Sequence, residues 1–470
     1  MKRRTLLLLA LMLPALCGCQ AQPQSIYITE PAPTYGEPLV FETALEGQTQ
    51  PEDRQAALEA SFQSADGTVE FSFHIDQELP AGDLRILEAV PRPITGEDAQ
   101  KLAQVVFPDC TFYDQEPQSS KLYSKEEVER NIALYTKYSD LSALTELYGS
   151  SAREQSIYVA HYREFWEKQL KKAKKENPHR LCDWEFKPDM YYYDIDQRDE
   201  NNYWTEIYAL TRKGDVEYLL SANKSTNPKN RHQKLGISVD GELLTHQLGW
   251  YSLVNGDFPT PDQVDQARER AQNILDELDV GRWRVRNAQL RPSDLVDGMC
   301  IEVEADMLLD GMLIPNRPGM EDGFAYSGVS MVLNSKAELA YLDLWNPMEL
   351  KGTVTDRPNL LSLDELFAQA GERLTNATAS DRFGHDMFPL HIEEERAGER
   401  LTCKVDVTKV EYTMARMKAP DDADTFYFYP ELTFSGTAGY YGSETGTCHI
   451  TCEEAPLFSI SALDGELRVF

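Results

Sequence analysis

Two stretches of this chain bring metal-ligating residue types close together. His385, Asp386, His391 and Glu393 lie in Gly-His-Asp-Met-Phe-Pro-Leu-His-Ile-Glu. Two imidazoles with carboxylates form a donor set that can hold zinc. The segment also reads as a loop entering a strand, where exposed polar residues need no metal, so no metal site is assigned. The second stretch is Cys448-His449-Ile-Thr-Cys452, which lacks the two-residue spacing of a zinc knuckle. A disulfide, free thiols and a metal are its three readings, and Cys448 with Cys452 is carried forward as the candidate disulfide. Geometry sets a condition on it. Four residues of continuous strand, at about 3.3 Å each, separate the Cα atoms by about 13 Å. A disulfide needs roughly 4.4–6.8 Å, so a bond requires the chain to turn.

Other chemistry is sparse. Gly442-Ser-Glu-Thr-Gly446 has the wrong spacing for a nucleophile elbow. No His-Glu-x-x-His and no P-loop occurs. Asp194-Ile-Asp196-Gln-Arg-Asp199 has the start of a calcium loop but lacks its fifth-position ligand and its glycine. No catalytic residue is assigned and no cofactor is implied. The 78 carboxylates still leave a cell-envelope hydrolase open, because such acid pairs are defined by spacing in three dimensions. Trp166, Trp184, Tyr191, Tyr192, Tyr193 and Trp204 could stack on sugars, or they could simply be residues that suit strands. Lys168, Lys171, Lys172, Lys174 and Lys175 form a basic helix end. It reads as a solvated face, since cations favour a helix C-terminus, or as a docking patch.

The start of the chain is a targeting segment. Met1-Lys2-Arg3-Arg4 is basic, and Leu6 to Leu13 is an unbroken apolar run. That is the layout of a secretory signal, and it is too short for the about 20 residues of a membrane span. Leu16-Cys17-Gly18-Cys19 follows and resembles the lipobox of bacterial lipoproteins. The resemblance implies cleavage before Cys19, so that residues 1–18 are the signal, and a diacylglyceryl group on Cys19. Two acyl chains satisfy the physical requirement for stable anchoring. The expected partner is therefore the bacterial cell membrane, through lipid on Cys19, with the rest of the chain extracytoplasmic.

Composition narrows the partners further. The formal charge is -32, or about -35 once Lys2, Arg3 and Arg4 are removed. A field of that sign repels nucleic acid and anionic lipid headgroups. Apolar content of 41%, with 23 Tyr and 18 Phe, indicates packed globular structure. Besides Cys19, the mature chain keeps Cys110, Cys182, Cys300, Cys403, Cys448 and Cys452, too few for a disulfide scaffold at this length.

The elements that must position any site read as α+β. Residues 19–54, rich in proline, form an extended tether. Two α+β domains are expected, 55–255 and 256–470, with antiparallel sheets each carrying short capped helices on one face. Capping boxes start at Thr95, Ser124, Thr260 and Ser362, and Gly281 is the expected stop of the third of these helices. A helix over about 152–175 turns Tyr158, Tyr162, Phe165, Trp166 and Leu170 inward. Hairpins turn at Asp66-Gly67 and Asp464-Gly465. Leu401, Cys403, Val405 and Val407 alternate inward, then Val410, Tyr412 and Met414 do so one residue out of phase. That slip predicts a β-bulge at Thr408-Lys409. Lys404, Asp406, Lys409, Glu411 and Arg416 then form the outward set.

The tail carries a second resemblance. Tyr412-Thr-Met-Ala-Arg-Met417, Phe426-Tyr-Phe-Tyr-Pro430-Glu-Leu-Thr-Phe-Ser-Gly436 and Ser459-Ile-Ser-Ala-Leu-Asp-Gly465 resemble a family of uncharacterised surface lipoproteins of Gram-positive bacteria. More loosely they are similar to YycH/YycI-type and PepSY-like extracytoplasmic modules. Glu431 and Leu432 stand where that family has Val-Trp. The resemblance implies a helix packed on an antiparallel sheet, a regulatory binding role and no catalytic residues. The expected function is a non-enzymatic binding or regulatory module for an envelope or protein partner. The alternatives are a glycan-binding surface protein and a hydrolase whose carboxylates the sequence does not single out.

Overall fold

In the computed structural model, the alternating stretches become strands and the capped stripes become helices. The structure describes residues 55–469 except 80–83, 116–121, 149–150, 189–203, 215, 226–231, 241–248, 250–252, 254–257, 293–298, 316–319, 322–323, 326, 357, 382, 384–393, 395–396, 420–421 and 423. The signal, Cys19 and the tether lie outside this set, as does Gly256.

The order opens with the expected hairpin, β1 (Gln55–Gln63) and β2 (Val69–Glu78). Then come β3 (Ile86–Pro91), α1 (Gly96–Val106), β4 (Tyr113–Asp114), α2 (Lys125–Lys137), α3 (Leu141–Tyr148), α4 (Ala152–Gln169) and β5 (Lys187–Pro188). A meander follows, β6 (Trp204–Lys213), β7 (Val216–Ser225) and β8 (Gln233–Asp240), and then α5 (Pro261–Leu278). The next strands are β9 (Arg282–Pro292), β10 (Met299–Leu309), β11 (Met312–Ile314), β12 (Met320–Glu321), β13 (Phe324–Ala325), β14 (Gly328–Leu333), β15 (Leu339–Trp345) and β16 (Met348–Thr355). The chain closes with α6 (Leu363–Leu374), β17 (Leu401–Lys418), β18 (Phe426–Gly442), β19 (Cys448–Ser461) and β20 (Leu467–Val469). The fold is thus α+β and mostly antiparallel. Sequence punctuation at Pro430 suggests two short strands there, but the chain runs through it as the single strand β18.

Two large sets of strands share this pairing. One runs β6-β7-β8-β15-β14-β10-β9, antiparallel throughout. Its apolar face, including Leu220, Ile237, Leu342, Met331 and Val303, packs with Leu102 of α1 and Ile274 of α5. The other runs β1-β2-β17-β18-β19-β20, parallel only where β2 meets β17. Leu366, Ala370 and Leu374 of α6 join Phe71, Val405, Phe434 and Phe458 in its core. The long β17–β18 hairpin links the two sets. Beyond its α6-covered half, β17 pairs with β11 at Leu313 and Thr413, and β18 pairs with β3, which in turn pairs with β16. Helices α2, α3 and α4 pack on one another instead, around Val128, Tyr135, Leu144, Val159 and Trp166.

The two-domain division near residue 256 is not confirmed. Leu235 and Ile237, before it, share one core with Ile301, Val329 and Leu342, after it. All described residues fall within one compact unit, Phe41–Phe470.

Local signals translate closely. All four capping boxes form, with N-caps Thr95, Ser124, Thr260 and Ser362. The register of β17 on β18 skips Thr408, between Val407 and Lys409, which is the predicted bulge. Three details differ. Asp279, not Gly281, takes the left-handed position that ends α5, at φ 56°. In α4 the buried stripe is Ala152, Val159 and Trp166, a seven-residue repeat, because only α2 and α3 cover it. Tyr158 and Leu170 therefore face outward, at 36% and 39% exposure. Arg416 is not part of the outward set either. The phase of Val410 and Met414 carries it inward, where it is 2% exposed and its guanidinium lies 4.8 Å from the Phe426 ring centre.

The start of α1 is tied to the large sheet by polar groups. Asp98 accepts from Arg92 at 2.8 and 3.1 Å and from the Thr95 backbone at 2.8 Å. Burial pushes the Asp98 carboxyl up, but the Arg92 and Thr95 bonds together hold it below the usual carboxylate range. A depressed carboxyl contributes stability above its ordinary value of about 4, and loses it as pH falls through the folded value. Asp98→Asn is therefore expected to cost about 1–2 kcal/mol at pH 7. In urea unfolding, the gap from wild type should close as pH drops below about 4. A gap constant from pH 7 to pH 3 would sink this account.

Next to this cap sits Gln233, buried at the start of β8. Its side chain accepts from the Ile94 N–H at 2.8 Å and donates to the Arg92 carbonyl at 3.2 Å. Its backbone N–H donates to the Asn346 side chain at 2.9 Å, and its carbonyl accepts from the Asn346 N–H at 3.1 Å. Asn346 is fully buried with φ 49°, at the corner between β15 and β16. One glutamine thus joins β8, the entry to α1 and that corner.

Candidate functional site

The large sheet has a second face, and strand alternation makes it polar. Because successive side chains point to opposite sides, every residue between the core positions lands there. Register puts Tyr208, Ser221, Gly236, Asp343, Ser330, Glu304 and Asn287 in one row across all seven strands. The row spans about 29 Å at the usual strand spacing of about 4.8 Å. A flanking row carries Glu206, Asn223, Lys234 and Trp345, and another carries Ser238, Tyr341, Val332 and Glu302. Most of these side chains are half-buried.

Asp343 is the centre of this face and is 6% exposed. The Lys234 ammonium lies 2.5 Å from it, and the Tyr341 hydroxyl donates to it. Burial pushes the Asp343 carboxyl up, and Lys234 and Tyr341 offset part of that shift. Burial also pushes the Tyr341 phenol up, with Asp343 and Glu302 adding to the effect. His232, just before β8 and two residues from Lys234, is pushed down to about 4 by burial and by the Lys234 charge, so it is neutral at pH 7. Gly236 makes room for Asp343. A Cβ there would sit 2.2 Å from the Asp343 carboxylate and 2.8 Å from the Leu342 carbonyl. Two other acids of the face are matched to cations: Glu304 to Arg286 at 2.7 Å, and Glu302 to Arg291 at 2.6 Å.

Chemically, this face offers fixed hydrogen-bonding groups and aromatic rings. Asp343, Glu304 and Glu302 are held in ion pairs. The arrangement suits recognition of a polar partner more than proton transfer. A cavity of about 400 Å³ lies on the sheet's other side, between Phe107, Lys213, Tyr218, Leu253, Arg270 and Leu339.

Most of the residues singled out by sequence are not among those the structure describes. His385, Asp386, His391 and Glu393 lie outside the described residues. So do Asp194–Asp199, Tyr191, Tyr192 and Tyr193, and the side chain of Trp204. Among the described residues no cluster of three metal-ligating side chains occurs. Trp166 is buried against Tyr123, ring centres 4.8 Å apart, and Trp184 packs on Phe112 at 5.6 Å. The two belong to separate cores, not one platform. Gly442–Gly446 is the turn between β18 and β19, where the Glu399 carboxylate accepts from the Glu444 N–H at 2.6 Å and the Thr445 N–H at 3.1 Å.

Cys448 and Cys452 lie in the same strand β19, opposite Tyr441 and Ala438, and no disulfide joins them. The extended backbone keeps them too far apart. Peptide mapping of the unreduced protein is expected to show no 448–452 linkage. Finding that linkage would mean the strand is broken there.

Glu431, one of the two residues at which the tail departs from the resemblance noted above, is fully buried. It accepts from Thr413 at 3.0 Å and Ser459 at 2.8 Å. The polar face of the large sheet was missed by sequence reasoning. Its signal is present, as Tyr341-Leu-Asp343-Leu-Trp345 alternates cleanly.

No protein-family model matches the chain, and no curated protein matches it. Among solved structures it is similar to an uncharacterized protein from Eubacterium rectale. That likeness covers 85% of this chain and 91% of that one, at 9% identity and a TM-score of 0.31.

Proposed function

We propose that this chain is a membrane-anchored extracytoplasmic lipoprotein that binds an envelope or protein partner through the polar face of its large sheet. The observation that carries the reading is the row from Tyr208 to Asn287, with Asp343, Lys234 and Tyr341 locked at its centre. Tyr and Trp are favoured in recognition surfaces because they offer large, stiff contact area with a polar edge. Pre-ordered ion pairs add orientation and specificity. A lipid on Cys19 and a tether over residues 19–54 would hold this face near the membrane and raise its effective concentration there. The rings of Tyr208, Tyr341 and Trp345 favour, as a second reading, a glycan partner.

Two experiments test this. Cys19→Ala is expected to block acylation, leaving the protein uncleaved or releasing it to the medium. A mutant that stays membrane-bound with the processed wild-type mass would refute the anchor. For the binding face, cross-linked envelopes are captured with the lipidated protein and with Ser221→Arg, which places a bulky charge in the row, two strands from Asp343. Loss of the specific partner in the variant, with unchanged folding, is expected. Polysaccharide turnover by the purified protein, abolished by changing one carboxylate, would replace the binding reading with a hydrolase.

A further inference from the structure

α4 runs out into Lys168-Gln-Leu-Lys-Lys-Ala-Lys-Lys175, which has five lysines and no carboxylate in a chain with 78 acidic residues. Lys168 is tied to Glu164 at 2.6 Å. Lys171, Lys172, Lys174 and Lys175 are exposed, and none has a carboxylate within 4.0 Å among the described residues. A favourable helix C-terminus explains cations in the last turn. It does not explain Lys174 and Lys175, which lie past the end of α4 at Gln169.

This run is also pinned in place. The Lys174 N–H donates to the Tyr123 carbonyl at 2.9 Å, and the Lys125 N–H donates to the Lys174 carbonyl at 2.7 Å. Tyr123 is anchored against Trp166. The pairing brings residues 122–125 alongside the lysines, and with them Leu122, which is 47% exposed. Leu170, between Lys168 and Lys171, is exposed as well. The lobe therefore presents unpaired ammonium groups together with two uncovered leucines.

We infer that the end of α4 docks on the surface of an anionic phospholipid bilayer. Headgroup phosphates attract lysines near the surface, and the interface takes up apolar side chains. A soluble polyanion would satisfy the lysines but offers nothing to Leu122 and Leu170. The protein's overall negative charge does not prevent this contact, because charges more than about 8 Å apart are largely screened at physiological ionic strength.

The biological setting rests on the anchor reading above, but the contact can be tested without the lipid. The chain from residue 20 keeps every described residue. It is mixed with vesicles of equal parts phosphatidylglycerol and phosphatidylcholine, or of phosphatidylcholine alone, and sedimented. Salt-sensitive binding to the first and little to the second is expected. Changing Lys171, Lys172, Lys174 and Lys175 together to Glu should weaken it by roughly 1000-fold or more. Leu122→Ala with Leu170→Ala should weaken it about tenfold. Circular dichroism would check that both variants stay folded. Equal binding to both vesicles, or no effect of the lysine changes, would overturn the inference. So would inorganic polyphosphate competing fully while the leucine changes do nothing. Vesicle binding by a protein whose Cys19→Ala form keeps the processed wild-type mass would remove the anchor reading and leave the docking contact standing.

Discussion

A chain beginning at residue 256 will not fold. Without the first part, β17 loses β2, its parallel partner over Cys403–Val407. β16 and β18 lose β3, and β15 loses β8. Phe434 and Phe458 lose the Phe73 ring that packs edge-on at 6.2 and 6.3 Å. Each lost strand leaves a row of unpaired N–H and C=O groups, which template aggregation. The expected result is no cooperative urea transition and rapid proteolysis, whereas a chain from residue 41 onward unfolds cooperatively. A cooperative transition in the 256–470 fragment would support the two-domain division.

Gln233→Ala will be among the most destabilising single substitutions in the protein. The Ile94 N–H and the Arg92 carbonyl would lose their partners, and Ile94 is fully buried. A buried polar group left unmatched costs about 1–3 kcal/mol. With the cavity left behind, the sum is about 3–5 kcal/mol. Gln233→Glu keeps an acceptor for Ile94 but no donor for Arg92, and should fall between the two. The readout is the urea midpoint at constant slope. A loss below about 1 kcal/mol would show that the junction of β8, α1 and the β15–β16 corner is held by other contacts.

What could be read from sequence was local. A capping box needs four consecutive residues, and all four boxes formed. The bulge at Thr408 was readable because a phase slip is visible within one strand. The polar face was not, because its rows exist only once β8 has found β15. Tyr341 meets Ser238 across more than a hundred residues, and nothing in either segment names the other. The Gln233 junction has the same origin. The inward position of Arg416 was available from the alternation itself. Its charge suggested solvent, but the side chain found an aromatic ring. Glu431 is similar: a carboxylate in a strand reads as surface until two hydroxyls from neighbouring strands enclose it.

The parallel pairing of β2 with β17 also sets the order of events during biosynthesis. Phe71 and Phe73 leave the ribosome among the first residues of the fold. Their ring partners Phe383, Phe434 and Phe458 come more than three hundred residues later. Through that interval the β1–β2 hairpin is a ribbon with an uncovered apolar face and both edges open. Closing so long a loop is slow, and an exposed strand of this kind invites wrong partners. The chain is therefore expected to depend on a holding chaperone, and to reach its final structure only after the last seventy residues have emerged.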